Sequence, residues 1–184
     1  KFVFLMFINQ QNIKFLIFFI CFSIFSSISQ TNEDVPLNNI AINQIPRPVS
    51  SVIFQDFLGN EINLKDYNGK LIIINFWATW CDPCKEEMPS LDILYLDDNF
   101  KNLEIFAVNM EQPNLYKTKE FFDKLDIKNL EIFFDKNLNF VKEFKLRGVP
   151  TSIFINKKGD DFARAIGIID FQNKDFLKWL KNYD

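Results

Sequence analysis

Residues 71–76 form a run that is apolar except for Asn75 and is rich in β-branched side chains. A run of this length and composition is typical of a strand that is buried on both faces of a sheet. The pattern then changes, because Asp82 and Pro83 are residues typical of the first turn of a helix. The sequence therefore predicts a central strand that leads into a helix. We expect this helix to run to about residue 99 and to kink at Pro89, which lacks a backbone donor.

Segments elsewhere in the chain predict the remaining elements. Strands are expected where apolar residues alternate or run together, and helices where they recur every three or four positions. The further strands are predicted at residues 51–57, 61–64, 103–109, 131–134, 151–155 and 162–167. The further helices are predicted at residues 115–125, 138–144 and 171–183. The first two strands are expected to pair as a β-hairpin, because the residues between them include Gly59.

An apolar stretch near the beginning of the chain, residues 15–28, is typical of an export signal. Ser27 and Ser29 supply small side chains at the spacing of a signal-peptidase site. The stretch is short for a membrane span, which usually needs about 17–25 residues. We predict that residues 1–29 are a signal peptide or an N-terminal membrane anchor, and both alternatives stay open.

The next stretch, residues 30–51, is polar and contains Pro46 and Pro48, which is typical of a linker. Residues 52–184 carry the alternation of strand and helix patterns. A segment of this length is sufficient for one domain with its own hydrophobic core. We therefore predict a linker followed by a single domain.

The predicted central helix begins at a pair of thiols, Cys81 and Cys84. A thiolate is the reactive form of cysteine, and the amides and dipole of a helix N-terminus stabilise it. Cys81 is expected to meet the disulfide of another protein, and Cys84, one turn further, to be more buried and to resolve the mixed disulfide. The spacing lets the two sulfurs close a small ring. We predict a redox site that uses the Cys81–Cys84 disulfide and no other cofactor.

Composition excludes several other kinds of site. The chain has a net charge of −3 and no basic stripe, which argues against nucleic acid as a partner. It contains no histidine, which removes Cys–His catalysis and histidine metal sites. Zinc needs about four ligands, and a purely structural disulfide closing so short a loop would add little stability. We therefore favour redox chemistry over a metal site or a structural disulfide.

Residues 71–91 include the string WCDPCKEEMP, which resembles the active-site segment of the thioredoxin superfamily. In particular it resembles the TlpA/ResA-like branch of thiol–disulfide oxidoreductases, with its WCxPCxxExP pattern. The string RGVPT at residues 147–151 resembles the cis-proline loop of the same family and favours TlpA within it. The resemblance implies a thioredoxin-like α/β fold, with a mixed central sheet flanked by helices, an N-terminal β-hairpin and a central helix–strand insertion.

The resemblance also implies roles for residues around the thiols. Glu87 matches the glutamate of the pattern, and burial would raise its pKa and suit it to exchange a proton with Cys84. The Val149–Pro150 bond is expected to be cis and to leave the backbone of Val149 free to pair with a client segment. Trp80 is expected to cover the thiols and contact clients. The alternatives are a surface glutamate and an ordinary proline at the start of a strand.

Three residues are expected to tune the redox potential, namely Asn75, Asp82 and Pro83. Asn75 stands where classical thioredoxins carry a buried, proton-relaying aspartate, and an amide cannot titrate. The charge of Asp82 should oppose formation of the Cys81 thiolate and so favour a reductant. Pro83 lies just inside the first turn of the helix. Arg147 is either a surface charge or a client contact.

These features predict an extracytoplasmic, periplasmic thiol–disulfide oxidoreductase that reduces client disulfides and is secreted or held to the membrane by its N-terminal segment. The resemblance implies clients in cytochrome c maturation or cytochrome oxidase copper-site assembly. It also implies recycling by a membrane electron donor of the DsbD/CcdA kind. The alternative is a Cu(I)-binding metallochaperone that uses the same two thiolates, which suit this soft ion. Peroxidase activity is disfavoured, because Ala78 stands where such relatives need a threonine.

Overall fold

The computed structural model describes residues 37–184, so the predicted leader at residues 1–29 and the start of the predicted linker lie outside the described residues. The strands are β1 (Ile40–Pro48), β2 (Ile53–Asp56), β3 (Glu61–Asn63), β4 (Leu71–Trp77), β5 (Leu103–Asn109), β6 (Ile132–Phe134), β7 (Thr151–Ile155) and β8 (Asp160–Ile166). The helices are α1 (Asp82–Tyr95), α2 (Leu115–Lys124), α3 (Asn139–Phe144) and α4 (Lys174–Lys181), with a 3₁₀ turn at Leu64–Tyr67. Among residues 37–184, none of the helices combines the length and apolar character that a membrane crossing requires.

The described strands form one eight-stranded sheet in the order β1-β8-β7-β4-β5-β6-β2-β3. The central strand β4 runs parallel to β5 and antiparallel to β7. The sheet is therefore mixed, and helices flank it, as the sequence predicted.

Side chains of β4 alternate between two apolar cores on opposite faces of the sheet, because successive residues of a strand point to opposite sides. Ile73 and Trp77 pack in the core that includes the buried side of α1 and of α4. Ile74 and Phe76 pack in the core beneath α3. Every residue of β4 is buried, so the prediction of a strand covered on both faces is confirmed.

The predicted hairpin and insertion are both present. β2 pairs antiparallel with β3, and the Asp56 carboxylate accepts hydrogen bonds from the backbone of Leu58 and Asn60 in the turn between them. Gly59 in that turn has a φ of 87°, which a side chain with a Cβ rarely adopts. After β5, α2 leads into β6, which extends the sheet by pairing with β5 and with β2.

All four helices are shorter than the sequence patterns predicted, two of them by more than one residue. Helix α1 continues through Pro89 but ends at Tyr95 rather than near residue 99. The Asp97 side chain accepts a hydrogen bond from the backbone of Asn99 at 2.9 Å, and such local bonds compete with helical ones. Helix α4 begins at Lys174 rather than at residue 171, because the Asn173 side chain caps its N-terminus.

The prediction of a linker over residues 30–51 is wrong for its second half. Ile40–Pro48 is strand β1, which pairs antiparallel with β8 and forms one edge of the sheet. The register breaks between Ile42 and Arg47. Proline is tolerated on an edge strand because its missing donor faces away from the neighbouring strand. The prolines and polar residues that indicated a linker are those of an edge strand.

Candidate active site

The Cys81–Cys84 pair forms a disulfide at the N-terminus of α1, with an S–S distance of 2.08 Å. Strand β4 ends at Trp77, and Cys81 is the N-cap residue of the helix. The backbone N–H of Cys84 donates to Sγ of Cys81 at 3.2 Å. When the pair is reduced, this amide and the helix dipole favour the thiolate of Cys81 over its thiol.

The disulfide is less accessible than the sequence suggested. Cys84 is fully buried, as predicted, but Cys81 retains only 2 % exposure. The aromatic side chain of Trp80, next to the pair, is 68 % exposed. Trp77 is buried in the core and stacks on Phe121. The Cys81 sulfur is therefore almost closed to solvent, while the neighbouring tryptophan is exposed.

The residues between the cysteines are exposed, and the charge of Asp82 is paired. Lys85 Nζ lies 2.5 Å from Asp82 Oδ1. Pro83 occupies the first turn of α1, as its sequence position indicated. The sequence predicted that the charge of Asp82 opposes formation of the Cys81 thiolate, without a cation beside it. The cation of Lys85 offsets part of this opposition, so any tuning of the redox potential belongs to the ion pair.

Glu87 is a buried carboxyl with 1 % exposure, on the same face of α1 as Cys84. Its Oε1 accepts a hydrogen bond from Asn75 Nδ2 at 2.7 Å, and its Oε2 accepts one from the backbone N–H of Ile169 at 3.0 Å. Burial raises the pKa of Glu87 to about 7, against the two hydrogen bonds, which lower it. The alternative of a surface glutamate is therefore excluded, and the group can accept or donate a proton near neutral pH.

Asn75 links β4 to two other parts of the site. Besides Glu87, its Nδ2 donates to Ser152 Oγ on β7 at 3.0 Å. The sheet register places Asn75 opposite Ser152, and both are buried. Sequence reasoning identified Asn75 and Glu87 but not Ser152 or Ile169. A polar residue within the apolar run of β7 was the one signal that could have pointed to Ser152.

The Val149–Pro150 bond is cis, as the resemblance implied. Thr151 pairs with Phe76 at the end of β4, which brings this bond to the same end of the sheet as the cysteines. Val149 is half-buried and packs against the apolar core that contains both cysteines. Gly167, with a φ of 89°, donates its N–H to the carbonyl of Pro150 at 3.0 Å. The loop is therefore placed beside the disulfide by the sheet register.

A carboxylate that the sequence did not single out holds the loop before Cys81. Glu111 Oε2 accepts a hydrogen bond from the backbone N–H of Thr79 at 2.6 Å, and its Oε1 accepts one from Lys117 at 2.6 Å. Burial acts to raise the pKa of Glu111, but these hydrogen bonds outweigh it and lower the pKa. Lys117 thus fixes the carboxylate that positions Thr79.

Comparisons with known proteins agree with this geometry. A family model described as "AhpC/TSA family" matches residues 45–160. The thiol–disulfide oxidoreductase ResA of Halalkalibacterium halodurans is 36 % identical over 130 residues, which cover 70 % of this chain and 73 % of that protein.

Solved structures show the fold. The crystal structure of StoA from Bacillus subtilis matches with a TM-score of 0.60 and 24 % identity, covering 73 % of this chain and 98 % of that one. A thiol:disulfide interchange protein of the thioredoxin family from Chlorobium tepidum matches with a TM-score of 0.64 and 21 % identity, covering 77 % and 98 %. Both similarities support only the assignment of a thioredoxin-like fold.

Proposed function

This chain belongs to the AhpC/TSA family, and we propose that it reduces disulfides in client proteins outside the cytoplasm. Membership, together with the ResA name of its relatives, confirms the predicted class, a thiol–disulfide oxidoreductase of the thioredoxin superfamily. Its finer placement near TlpA stays a prediction. The observation that carries the proposal is the Cys81–Cys84 disulfide at a helix N-terminus beside the buried carboxyl of Glu87.

The first step forms a mixed disulfide. The thiolate of reduced Cys81, stabilised by the amide of Cys84, attacks one sulfur of the client disulfide. The bond between the two client sulfurs breaks, and the departing client thiolate takes a proton from solvent. Cys81 and the client are then joined by a new S–S bond.

The second step releases the client. Cys84 loses its proton and attacks Sγ of Cys81, which forms the internal disulfide and breaks the bond between Cys81 and the client. The released client thiolate takes a proton from solvent, so the client leaves with both of its sulfurs reduced. Glu87 is the group we assign to take the proton of Cys84, because its pKa of about 7 leaves a large fraction of it ionised at neutral pH. Asn75 and Ile169 hold the carboxylate while it titrates. Two electrons have passed from the protein to the client.

Client binding is assigned to Trp80, Val149 and Pro150. Trp80 supplies an exposed aromatic surface beside the thiols. The backbone of Val149 stands at the end of β7, where an extended client segment can pair with it as an added strand.

The oxidised protein needs a reductant to act again. We assign this role to a membrane electron donor of the DsbD/CcdA kind, and the clients to cytochrome c maturation or cytochrome oxidase copper-site assembly. These assignments are supported by the family resemblance and by the predicted export signal at residues 1–29. A peroxidase stays disfavoured, because Ala78 occupies the position of the required threonine.

Trapping of the mixed disulfide tests the proposal. The full chain is used with Cys21→Ser, so that Cys81 and Cys84 are its only thiols. When reduced Cys84→Ser is incubated with a disulfide-containing peptide, a covalent complex that dithiothreitol reduces should accumulate. The Cys81→Ser variant should form none. A complex formed equally by Cys81→Ser would contradict the assigned order of attack, and the absence of any complex would reject the function.

A further inference from the structure

We propose that an acidic segment of the client, close to its disulfide, binds in a groove beside the Val149–Pro150 loop. This inference rests on the reductase function proposed above. The groove has a volume of about 430 Å³, and its cationic lining residues are Arg47, Lys145, Arg147 and Arg164. We call it the basic groove.

The basic groove exists because α3 is short. Its six residues cover β4, where Phe140 and Phe144 contact Phe76. Arg164 of β8 pairs with Ile153, which belongs to the core on the α3 face, so Arg164 points to the same side of the sheet. Past the end of α3 this side of β8 and β1 is left open.

The lining of the groove is strongly cationic. Four cations and the single carboxylate of Asp161 give a net charge of +3, in a chain whose net charge is −3. Glu143 of α3 is not part of the lining and instead accepts a hydrogen bond from Ser50 N. A concave surface with one sign of charge concentrates ligands of the opposite sign.

One wall is built so that its arginines are fixed but accessible. Asp161, whose side chain is 2 % exposed, accepts hydrogen bonds from Arg47 at 3.0 Å and from Asn43 at 2.9 Å. Arg164 lies 4.0 Å from the same carboxylate. The side chains of Arg47 and Arg164 nevertheless remain 57 % and 25 % exposed. Their free donors are available to an incoming carboxylate, which arginine binds with favourable geometry.

The opposite wall carries unpaired charge. Lys145 and Arg147 are exposed, and no carboxylate of residues 37–184 lies within 4.0 Å of either one. Unpaired cations facing a groove favour an anionic occupant, since binding it does not require an existing ion pair to break.

The groove is continuous with the place where the client disulfide must sit. Gly148 and Thr151 line it and flank the Val149–Pro150 bond, and Thr151 Oγ1 donates to the carbonyl of Gly148 at 2.8 Å. An extended chain that pairs with Val149 would continue directly into the groove. A narrow concave strip suits such a chain better than it suits the flat surface of a membrane.

Two synthetic peptides with the same internal disulfide provide the test. One continues into three acidic residues and the other into three of the corresponding amides. The second-order rate constant for reduction of each is measured with the reduced full chain carrying Cys21→Ser. In low salt we expect the acidic peptide to react about 10-fold faster, and a salt concentration of about 0.5 M to remove most of the difference.

The double variant Lys145→Asn with Arg147→Gln should lower the ratio of the two rate constants to about 2 or less. Asparagine is chosen because Lys145 has a φ of 50°, which asparagine tolerates. The matched control is Lys101→Gln with Lys178→Gln, which removes the same charge from exposed positions outside the groove and should keep the ratio. Reaction with the amide peptide shows that each variant is folded.

Three results would overturn the inference while the proposed function stands. The first is a ratio of the two rate constants near 1 in the parent, and the second is a ratio that falls equally in the groove variant and in the control variant. The third is binding to phosphatidylglycerol vesicles that depends on Lys145 and Arg147, with no preference between the two peptides. The last result would assign the groove to a membrane surface. If the parent reduces neither peptide, the proposed function fails as well.

Discussion

The two faces of strand β4 bury different kinds of side chain. On the face under α1, Asn75 lies in a hydrogen-bonded cluster with Glu87 and Ser152. On the face under α3, Phe76 packs edge-on against Phe140, in a core where six of the thirteen buried residues are phenylalanines. The same strand thus supplies a polar cluster to the redox site and an aromatic layer to the opposite side.

The difference shows how stability and chemistry are divided in this domain. Burying a carboxyl costs free energy, and Glu87 lies in a site that shifts its pKa to about 7 although two hydrogen bonds oppose the shift. The aromatic face has no comparable cost and contributes through apolar burial and ring contacts. We therefore expect substitutions on the aromatic face to change stability alone, and substitutions on the site face to change the dependence on pH.

The largest effect is expected for Phe140→Ala on the aromatic face. Phe140 is fully buried and contacts Phe54 and Phe144 as well as Phe76. Its truncation should lower the free energy of unfolding of the oxidised protein by about 3–5 kcal/mol, measured with urea. The reduction potential should stay constant. A change in potential of more than about 30 mV, equivalent to roughly 1.4 kcal/mol, would show that the two faces are not independent.

On the site face, Glu87→Gln should remove a pH-dependent part of the stability. Because the pKa of Glu87 is raised from 4.5 to about 7, its contribution is complete below pH 4.5 and is lost as the pH rises through about 7. The free energy of unfolding of the parent should therefore fall by about 3 kcal/mol relative to the variant across that range. Urea titrations of both oxidised proteins at several pH values measure this difference.

The control for that prediction is Glu86→Gln, since Glu86 is the exposed neighbour on the same helix. The free energy of unfolding of this variant should change with pH as that of the parent does. Asp135, whose pKa burial also raises, is present in all three proteins and cancels from the comparison. Parallel curves for the parent and Glu87→Gln would mean that Glu87 does not titrate in this range.

A smaller effect is expected for Asn75→Asp, which places a second carboxyl within hydrogen-bonding distance of Glu87. Two close carboxyls do not ionise together readily, so the pair should titrate in two steps. We expect the higher of the two pKa values to lie about 1 unit above 7, which corresponds to about 1.4 kcal/mol. The pH profile of the rate of mixed-disulfide resolution measures it. Ser152→Ala, which removes the other partner of Asn75, should leave the profile in place.

The smallest effect is expected for Lys85→Met beside the disulfide. Loss of this cation leaves the charge of Asp82 unpaired and disfavours the Cys81 thiolate, so the disulfide should become more stable. Because exposed ion pairs are weak, the potential should become more negative by no more than about 20 mV. Lys178→Met, a distant exposed change, should leave the potential unaltered. A shift in the positive direction would contradict the role given to the Asp82–Lys85 pair.

The parts of the structure that local patterns determine were predicted well. Strands β5 and β7 have the predicted ends, because each is a short, mostly apolar segment followed by polar or turn residues. The cysteine pair at a helix start followed from neighbouring residues, and the family pattern pointed to Glu87, whose burial excludes the alternative of a surface glutamate. Such features depend on residues close together in the chain.

The parts that tertiary contacts determine were missed. Ser152 reaches Asn75 across 77 positions, and Glu111 reaches Thr79 across 32, through strand register and loop packing that no local pattern encodes. Strand β1 was missed because its polar residues and prolines are compatible with an edge strand and with a linker alike. The sequence thus identified the groups that react and Asn75, but not the other groups that hold them.

The reduction potential of the Cys81–Cys84 pair tests the central claim most directly. The full chain carrying Cys21→Ser is equilibrated with dithiothreitol or glutathione buffers, and the fraction of free thiol is measured. A value near that of thioredoxin, about −270 mV, or somewhat higher is the result expected of a reductant of client disulfides. A value near about −120 mV would make the protein an oxidant and contradict the direction of electron flow proposed here.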